Sequence, residues 1–180
     1  TSNSGLPDNS VFVVAADSSN SQWFGTWYGG VIHFSEPVWT IYNQNNSGLP
    51  ENWVLEIATD PDGSHWFGTS SQGVAHFDGG IWSVYNTSNS GLPNNTVLEK
   101  ATDQDGSLWF GTDDGTAHFD GKTWTVYNSS NSGLPSDGVG AIASDPNGSH
   151  WFGTGRGGVA KFDGTTWTVY NTSNSPLPHD

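Results

Sequence analysis

Five residues in this 180-residue sequence have the right chemistry and setting to hold a ligand: Trp27, Tyr28, Glu51, Trp53 and Arg156. Indole and phenol rings stack on the apolar face of a sugar or anchor a protein partner, and a nearby carboxylate or guanidinium fixes orientation. Arg156 is the only arginine and sits in Gly155-Arg156-Gly157-Gly158, where it could take an anionic group. Glu56 and Glu99 are candidates to hold a hard cation through oxygen, but two carboxylates are too few. Asp60-Pro61-Asp62-Gly63 and Asp103-Gln104-Asp105-Gly106 resemble the opening of a calcium loop, yet the later ligands are missing and a turn is expected instead. His33, His76 and His118 share one position of a repeat and His65 and His150 another, too far apart to share one zinc. No Ser-His-Asp order, nucleophile elbow or phosphate loop is present. No metal, cofactor or catalytic residue is therefore expected.

Those five are singled out against a repeat. Trp-Phe-Gly-Thr occurs at Trp23, Trp66, Trp109 and Trp151, at spacings of 43, 43 and 42 residues. A period of that size marks a repeat architecture. Eight of the ten Trp fall on two repeat positions, Trp23, Trp66, Trp109 and Trp151, then Trp39, Trp82, Trp124 and Trp167. A residue present in every repeat is expected to pack. Trp27 and Trp53 break the pattern: their counterparts are Ser70 and Gly155 for the first, and Ser10, Thr96 and Gly138 for the second.

Each repeat opens with a loop, such as Asn46-Ser47-Gly48-Leu49-Pro50. A short β-branched run follows, then an Asp-led turn, then the Trp-Phe-Gly-Thr strand. A third strand and a tight Asp-Gly turn lead to a fourth strand, as in Ile81-Trp82-Ser83-Val84-Tyr85. Helical periodicity is absent. Trp66 and Phe67 are adjacent in a strand and point to opposite faces, so both faces of the sheet need covering. Sheets packed face to face around an axis provide that cover. The fold expected is all-β, a β-propeller of four-stranded antiparallel blades. The blades run approximately 5–44, 45–87, 88–129 and 130–172, with a tail over 173–180, forming one propeller region over 1–180. In this arrangement Trp27, Tyr28 and Trp53 converge at one edge of one loop face, near Glu51 and Asn52.

The phrase Gly-Leu-Pro…Asp-x-(Asp/Asn)-Gly-Ser-x-Trp-Phe-Gly-Thr…Gly-Val-Ala-x-Phe-Asp-Gly-x-x-Trp-Thr-Val-Tyr resembles the two-component-regulator propeller repeat, four times over. The resemblance implies extracellular or periplasmic sensor blades, often preceding a histidine kinase, in rings that usually hold more than four blades. The motif is partly shared with streptogramin-lyase-like propellers, which implies an alternative reading as a metal-dependent lyase.

Lys and Arg number 4 against 18 Asp and Glu, for a formal charge of -14. So acidic a surface repels phosphate backbones and anionic lipid, which argues against nucleic acid and membrane as partners. There is no Cys, which excludes disulfides and thiolate metal sites. The absence of Met, with an opening inside the repeat-like Thr1-Ser2-Asn3-Ser4-Gly5-Leu6-Pro7, reads as a processed protein or a segment of a longer one. The few Lys and abundant Asn, Ser, Thr and Gly suit a secreted or cell-surface location.

The repeats run in phase from Val11 to Tyr170, so blades 1 and 4 each present a face that needs a neighbour. We prefer two chains joined head to tail in an eight-bladed ring over a closed four-bladed monomer, with membership of a longer ring as the third arrangement. The leading functional expectation is a non-enzymatic module that binds a glycan, small molecule or protein through Trp27, Tyr28 and Trp53. A structural module that assembles through its open blade faces is a third reading.

Overall fold

The chain is described from a computed structural model over residues 5–180; Asn3 and Ser4 of the first linker lie outside the described residues. Sixteen strands form four separate antiparallel sheets, and no helix occurs among the described residues. The first sheet is β1 (Val11–Ala16), β2 (Gln22–Thr26), β3 (Val31–Ser35) and β4 (Val38–Tyr42). The second is β5 (Val54–Thr59), β6 (His65–Thr69), β7 (Val74–Phe77) and β8 (Trp82–Tyr85). The third is β9 (Val97–Thr102), β10 (Leu108–Thr112), β11 (Gly115–Phe119) and β12 (Trp124–Tyr127). The fourth is β13 (Val139–Ser144), β14 (His150–Thr154), β15 (Val159–Phe162) and β16 (Trp167–Tyr170). In each sheet the strands lie in sequence order, so every blade is built from one repeat.

The chain divides into two compact units. One runs to Asn86 and takes in Asn95–Val97; the other comprises Thr87–Asn94 and Leu98–Asp180. In the first unit, Trp23 and Val31 of blade 1 and the linker residue Leu49 pack against Val54, Ile57, Phe67 and Phe77 of blade 2. In the second, Trp109 of blade 3 and the linker residue Leu134 pack against Val139, Ile142, Phe152 and Ala160 of blade 4. Both junctions use the same positions. One blade presents its Trp and the next presents its Val, Ile and Phe. Trp23 and Trp109 are each 2% exposed, and Phe67 and Phe152 are fully buried. Burying a ring of this size removes about 150–250 Å² from water, worth several kcal/mol at about 25 cal/mol per Å². This burial decides why aromatic residues recur on both faces of the second strand.

The turns before the second strands add a second role to their leading Asp. Trp66 Nε1 donates to Asp60 at 2.8 Å, Trp109 Nε1 to Asp103 at 2.9 Å and Trp23 Nε1 to Asp17 at 3.2 Å. Each buried indole N–H is thereby satisfied by the Asp six residues before it. Asn20, at φ 64°, fills the left-handed turn position that Gly63, Gly106 and Gly148 fill elsewhere.

Candidate functional site

The loop between β2 and β3 carries Trp27 and Tyr28, and the linker leading into β5 carries Glu51, Asn52 and Trp53. Both are held by backbone bonds. Trp27 N donates to Ser10 O at 3.1 Å, and Gly30 N donates to Asn52 O at 3.2 Å. The second bond ties the blade 1 loop to the blade 2 linker. The aromatic rings meet as a result. Trp27 and Trp53 have centroids 5.0 Å apart at 37°, and Trp27 and Tyr28 stack at 5.9 Å and 14°. With Gln44, Glu51 and Asn52 they line a cleft of about 240 Å³. Tyr28 is 72% exposed and Trp27 36% exposed, so the stack presents its surface to solvent. Trp53 Nε1 is buried and has no hydrogen-bond partner, unlike the Asp-held indoles of the repeat. A buried donor left unpaired costs about 1–3 kcal/mol.

Two more residues join this cluster. Phe12 is exposed and meets the Trp27 ring edge to face at 6.3 Å and 70°. Its counterparts Leu55, Leu98 and Gly140 are not aromatic. Gln44 donates from its backbone N to Asn52 Oδ1 at 3.0 Å and from Nε2 to Pro50 O at 2.9 Å. Its counterparts Thr87, Ser129 and Thr172 are short. Both were legible as breaks in the pattern.

Glu51 has a different occupation from the aromatics. Its carboxylate accepts from Ser70 Oγ at 3.0 Å, Ser71 N at 2.8 Å and Ser71 Oγ at 3.1 Å. The same position holds the same loop in other blades: Asp8 accepts from Tyr28 N at 2.9 Å, and Asn94 Nδ2 donates to Asp114 at 2.7 Å. Glu51 lines the cleft while fastening the next loop of its own blade. Asp8 does this beneath Tyr28 itself, and hydrogen bonds from the Ser10 and Tyr28 backbones hold its carboxyl below the usual range. Arg156 is exposed in the loop between β14 and β15, in the other unit, and does not line this cleft.

Glu56 is half-buried on β5, and Glu99 is half-buried on β9 with its carboxyl pushed up by burial. Among the described residues no group of three or more His, Cys, Asp or Glu side chains gathers where it could hold a metal ion.

A larger cleft, about 460 Å³, lies in the second unit, lined by Asp103, His118, Tyr127, Ser144 and His150 around Trp109. Ser144 Oγ donates to Asp103 Oδ1 at 2.7 Å and lies 3.0 Å from His150 Nδ1, which is itself 3.4 Å from Asp103. Here serine bridges carboxylate and imidazole, so its proton rests on the carboxylate side. An activated nucleophile requires the imidazole in the middle. The first unit differs: Thr59 Oγ1 lies 3.1 Å from His65 Nδ1, and Asp17 faces the other ring nitrogen, His65 Nε2, at 4.0 Å, beyond hydrogen-bond reach, so the carboxylate does not hold the imidazole as a base. Trp23 lies between His33, stacked on it at 4.2 Å, and His65, tilted against it at 4.2 Å, as Trp109 lies between the tilted rings of His118 at 4.5 Å and His150 at 4.7 Å. Burial holds His33, His65 and His118 below the usual imidazole range, which keeps these stacked rings neutral. What both units repeat is blade packing.

The sequence model of the two component regulator propeller matches residues 48–71 and 133–156. The structure is similar to the extracellular domain assigned to a hybrid two component system of B. thetaiotaomicron, with a TM-score of 0.82 and 26% identity. That match covers 97% of this chain and 24% of the other. It is also similar to the extracellular domain assigned to a one component system of B. thetaiotaomicron, at TM-score 0.72 and 18% identity, over 94% of this chain and 23% of that one. Virginiamycin B lyase from Staphylococcus aureus matches at TM-score 0.72 and 15% identity, over 94% of this chain and 57% of the lyase. The chain thus spans about a quarter of the length of the two extracellular domains. No curated protein matches its sequence. The fold is that of a β-propeller, shared by extracellular domains and by a lyase. No helix among the described residues is long and apolar enough to cross a membrane.

Proposed function

We propose that this chain, which carries the two component regulator propeller repeat, is a non-enzymatic extracellular or periplasmic module that binds a carbohydrate through Trp27, Tyr28 and Trp53. The observation that carries this reading is the convergence of three repeat-breaking aromatics into one solvent-facing stack beside a cleft of about 240 Å³. A cleft of that size, just under the common range for small-molecule sites, suits one or two sugar rings. The Trp27–Tyr28 stack offers a flat platform, and the amides of Gln44 and Asn52 offer polar contacts at its margin. The unpaired Trp53 Nε1 supplies a donor for a ligand oxygen once the Trp27 loop gives slightly. The likeness to extracellular sensor-type domains supports the location. The acidic surface disfavours anionic ligands at this site and suits neutral glycans.

A glycan array probed with the wild-type chain and with Trp27→Ala tests the reading. Binding to one neutral oligosaccharide family is expected, weakened at least tenfold by Trp27→Ala. Binding unchanged by Trp27→Ala and Trp53→Ala would remove this site from the account.

A further inference from the structure

Clefts at matching places in the two units separate what blade packing needs from what it does not. Each opens at a junction of two blades, among the turns that join first strand to second and third strand to fourth. In the first unit the cleft is about 240 Å³, and its one carboxylate is Asp17, with Ser19 beside it. In the second unit it is about 460 Å³ and is lined by three carboxylates, Asp103, Asp105 and Asp145. Asp105 stands four residues before Trp109, as Ser19 stands four before Trp23. Both walls of the larger cleft, blades 3 and 4, belong to one unit, so the cleft is complete within this chain. Its volume falls in the range of about 300–1,000 Å³ common for small-molecule sites.

The larger cleft is rich in acceptors that lack a donor. Asp105 engages Oδ1 with Ser107 N at 2.9 Å and Ser107 Oγ at 2.7 Å, and its Oδ2 accepts nothing among the described residues. His150 is only 8% exposed, yet it lines the cleft with one ring nitrogen unused. Ser144 Oγ directs its proton to Asp103, so His150 Nδ1 carries the hydrogen in the contact with Ser144. In the neutral ring Nε2 is then a bare acceptor, and it has no hydrogen-bond partner among the described residues. His118 is also unbonded among the described residues, whereas His33 Nε2 lies 2.8 Å from Ser21 Oγ in the first unit. Among the described residues no Lys or Arg lines the cleft; Lys161 lies 5.3 Å over the Trp151 ring instead.

Behind these groups lies an aromatic floor. Tyr127 and Phe162, both half-buried, meet at 5.6 Å, and Tyr127 stacks on the buried Trp109 at 5.6 Å and 27°. We propose that this cleft binds a small organic ammonium, a primary amine carried on an apolar body. The ammonium offers three donors to carboxylate and imidazole acceptors, and an aromatic face attracts the same charge. The carboxylates do not gather closely enough to hold a metal ion, so the cation that fits brings a body of its own to cover Tyr127 and Phe162. The formal charge of -14 raises the local concentration of such a ligand. The site is distinct from the Trp27 cleft, which lies in the other unit at a β2–β3 loop.

Calorimetric titration of the full chain at low salt with phenethylamine, and with phenethyl alcohol as its neutral isostere, tests the proposal. The amine is expected to bind and the alcohol not to, and added sodium chloride is expected to weaken binding by screening. Asp105→Asn is expected to weaken the amine about fivefold, the upper range for an exposed ion pair. The variant keeps an oxygen for Ser107, and Asn147 holds the same place in blade 4, so the turn is retained. In proton spectra the imidazole C–H signals of His118 and His150 are expected to shift with the amine while the Trp27 and Trp53 indole signals stay in place. Equal binding of the alcohol, no amine binding up to tens of millimolar, an affinity unchanged in Asp105→Asn, or shifts confined to Trp27 and Trp53 would each overturn the proposal. Glycan binding at Trp27 is independent of all these outcomes.

Discussion

At the residue scale, a repeat position and a functional position can carry the same side chain and be told apart by their partners. Eight indoles sit at regular positions, and those of the second strands are fixed by an Asp six residues earlier. Trp53 is the exception, with its N–H unpaired. The aromatic convergence was legible because Trp27, Tyr28 and Trp53 replace small or polar residues. The Asp–Trp bond was not, since the turn alone already explained Asp60 and Asp103. Glu51 was readable as a loop fastener from Asp8 and Asn94 at the same position, but its proximity to the aromatics masked that comparison. Glu99 yields a prediction at this scale. Burial, opposed by a hydrogen bond from the Lys100 backbone, raises its carboxyl above the ordinary 4.5. Its folded-state value therefore exceeds the unfolded one. Stability associated with Glu99 is fully present below the unfolded value and is lost as pH rises through the folded one. Glu99→Gln is thus expected to raise the melting temperature at pH 7 and to have no effect near pH 3. A thermal melt series that shows the reverse trend would contradict the burial argument.

At the element scale, the linkers do more than turn the chain. The glycine of each Gly-Leu-Pro approaches the outer-strand Trp of its own blade so closely that an added Cβ would lie 2.2 Å from Trp82 Cβ at Gly48 and 2.2 Å from Trp167 Cβ at Gly133. Neither position has a positive φ, so close packing, and not backbone freedom, requires the glycine. The sequence identified these stretches as loops but offered no sign of that contact, which depends on a Trp more than thirty residues away. Asparagines close the same loops: Asn128 N donates to Asn131 Oδ1 at 2.8 Å and Asn131 Nδ2 to Val126 O at 3.0 Å. Gly133→Ala is expected to destabilise the second unit by about 1–3 kcal/mol, the range for overpacking a tight site. Chemical denaturation followed by Trp fluorescence measures it, and a variant as stable as the wild type would show that the linker yields without cost.

At the scale of the whole molecule, the four-strand blades and their order follow from the period and from the turn chemistry, because each repeat is a self-contained unit of sheet. The period also placed Trp27, Tyr28 and Trp53 on one loop face; what it could not supply is how their rings meet, which depends on side-chain packing across the loop-to-linker bond from Gly30 to Asn52. The resulting division of labour, regular indoles for packing and irregular ones for binding, is the central claim. Its most direct test is the indole N–H region of a ¹⁵N spectrum, titrated with the oligosaccharide that an array selects. The Trp27 and Trp53 signals are expected to shift together and saturably, while those of Trp23, Trp66 and Trp109 stay in place. Shifts at Trp23, Trp66 or Trp109 with Trp27 and Trp53 unmoved would contradict it.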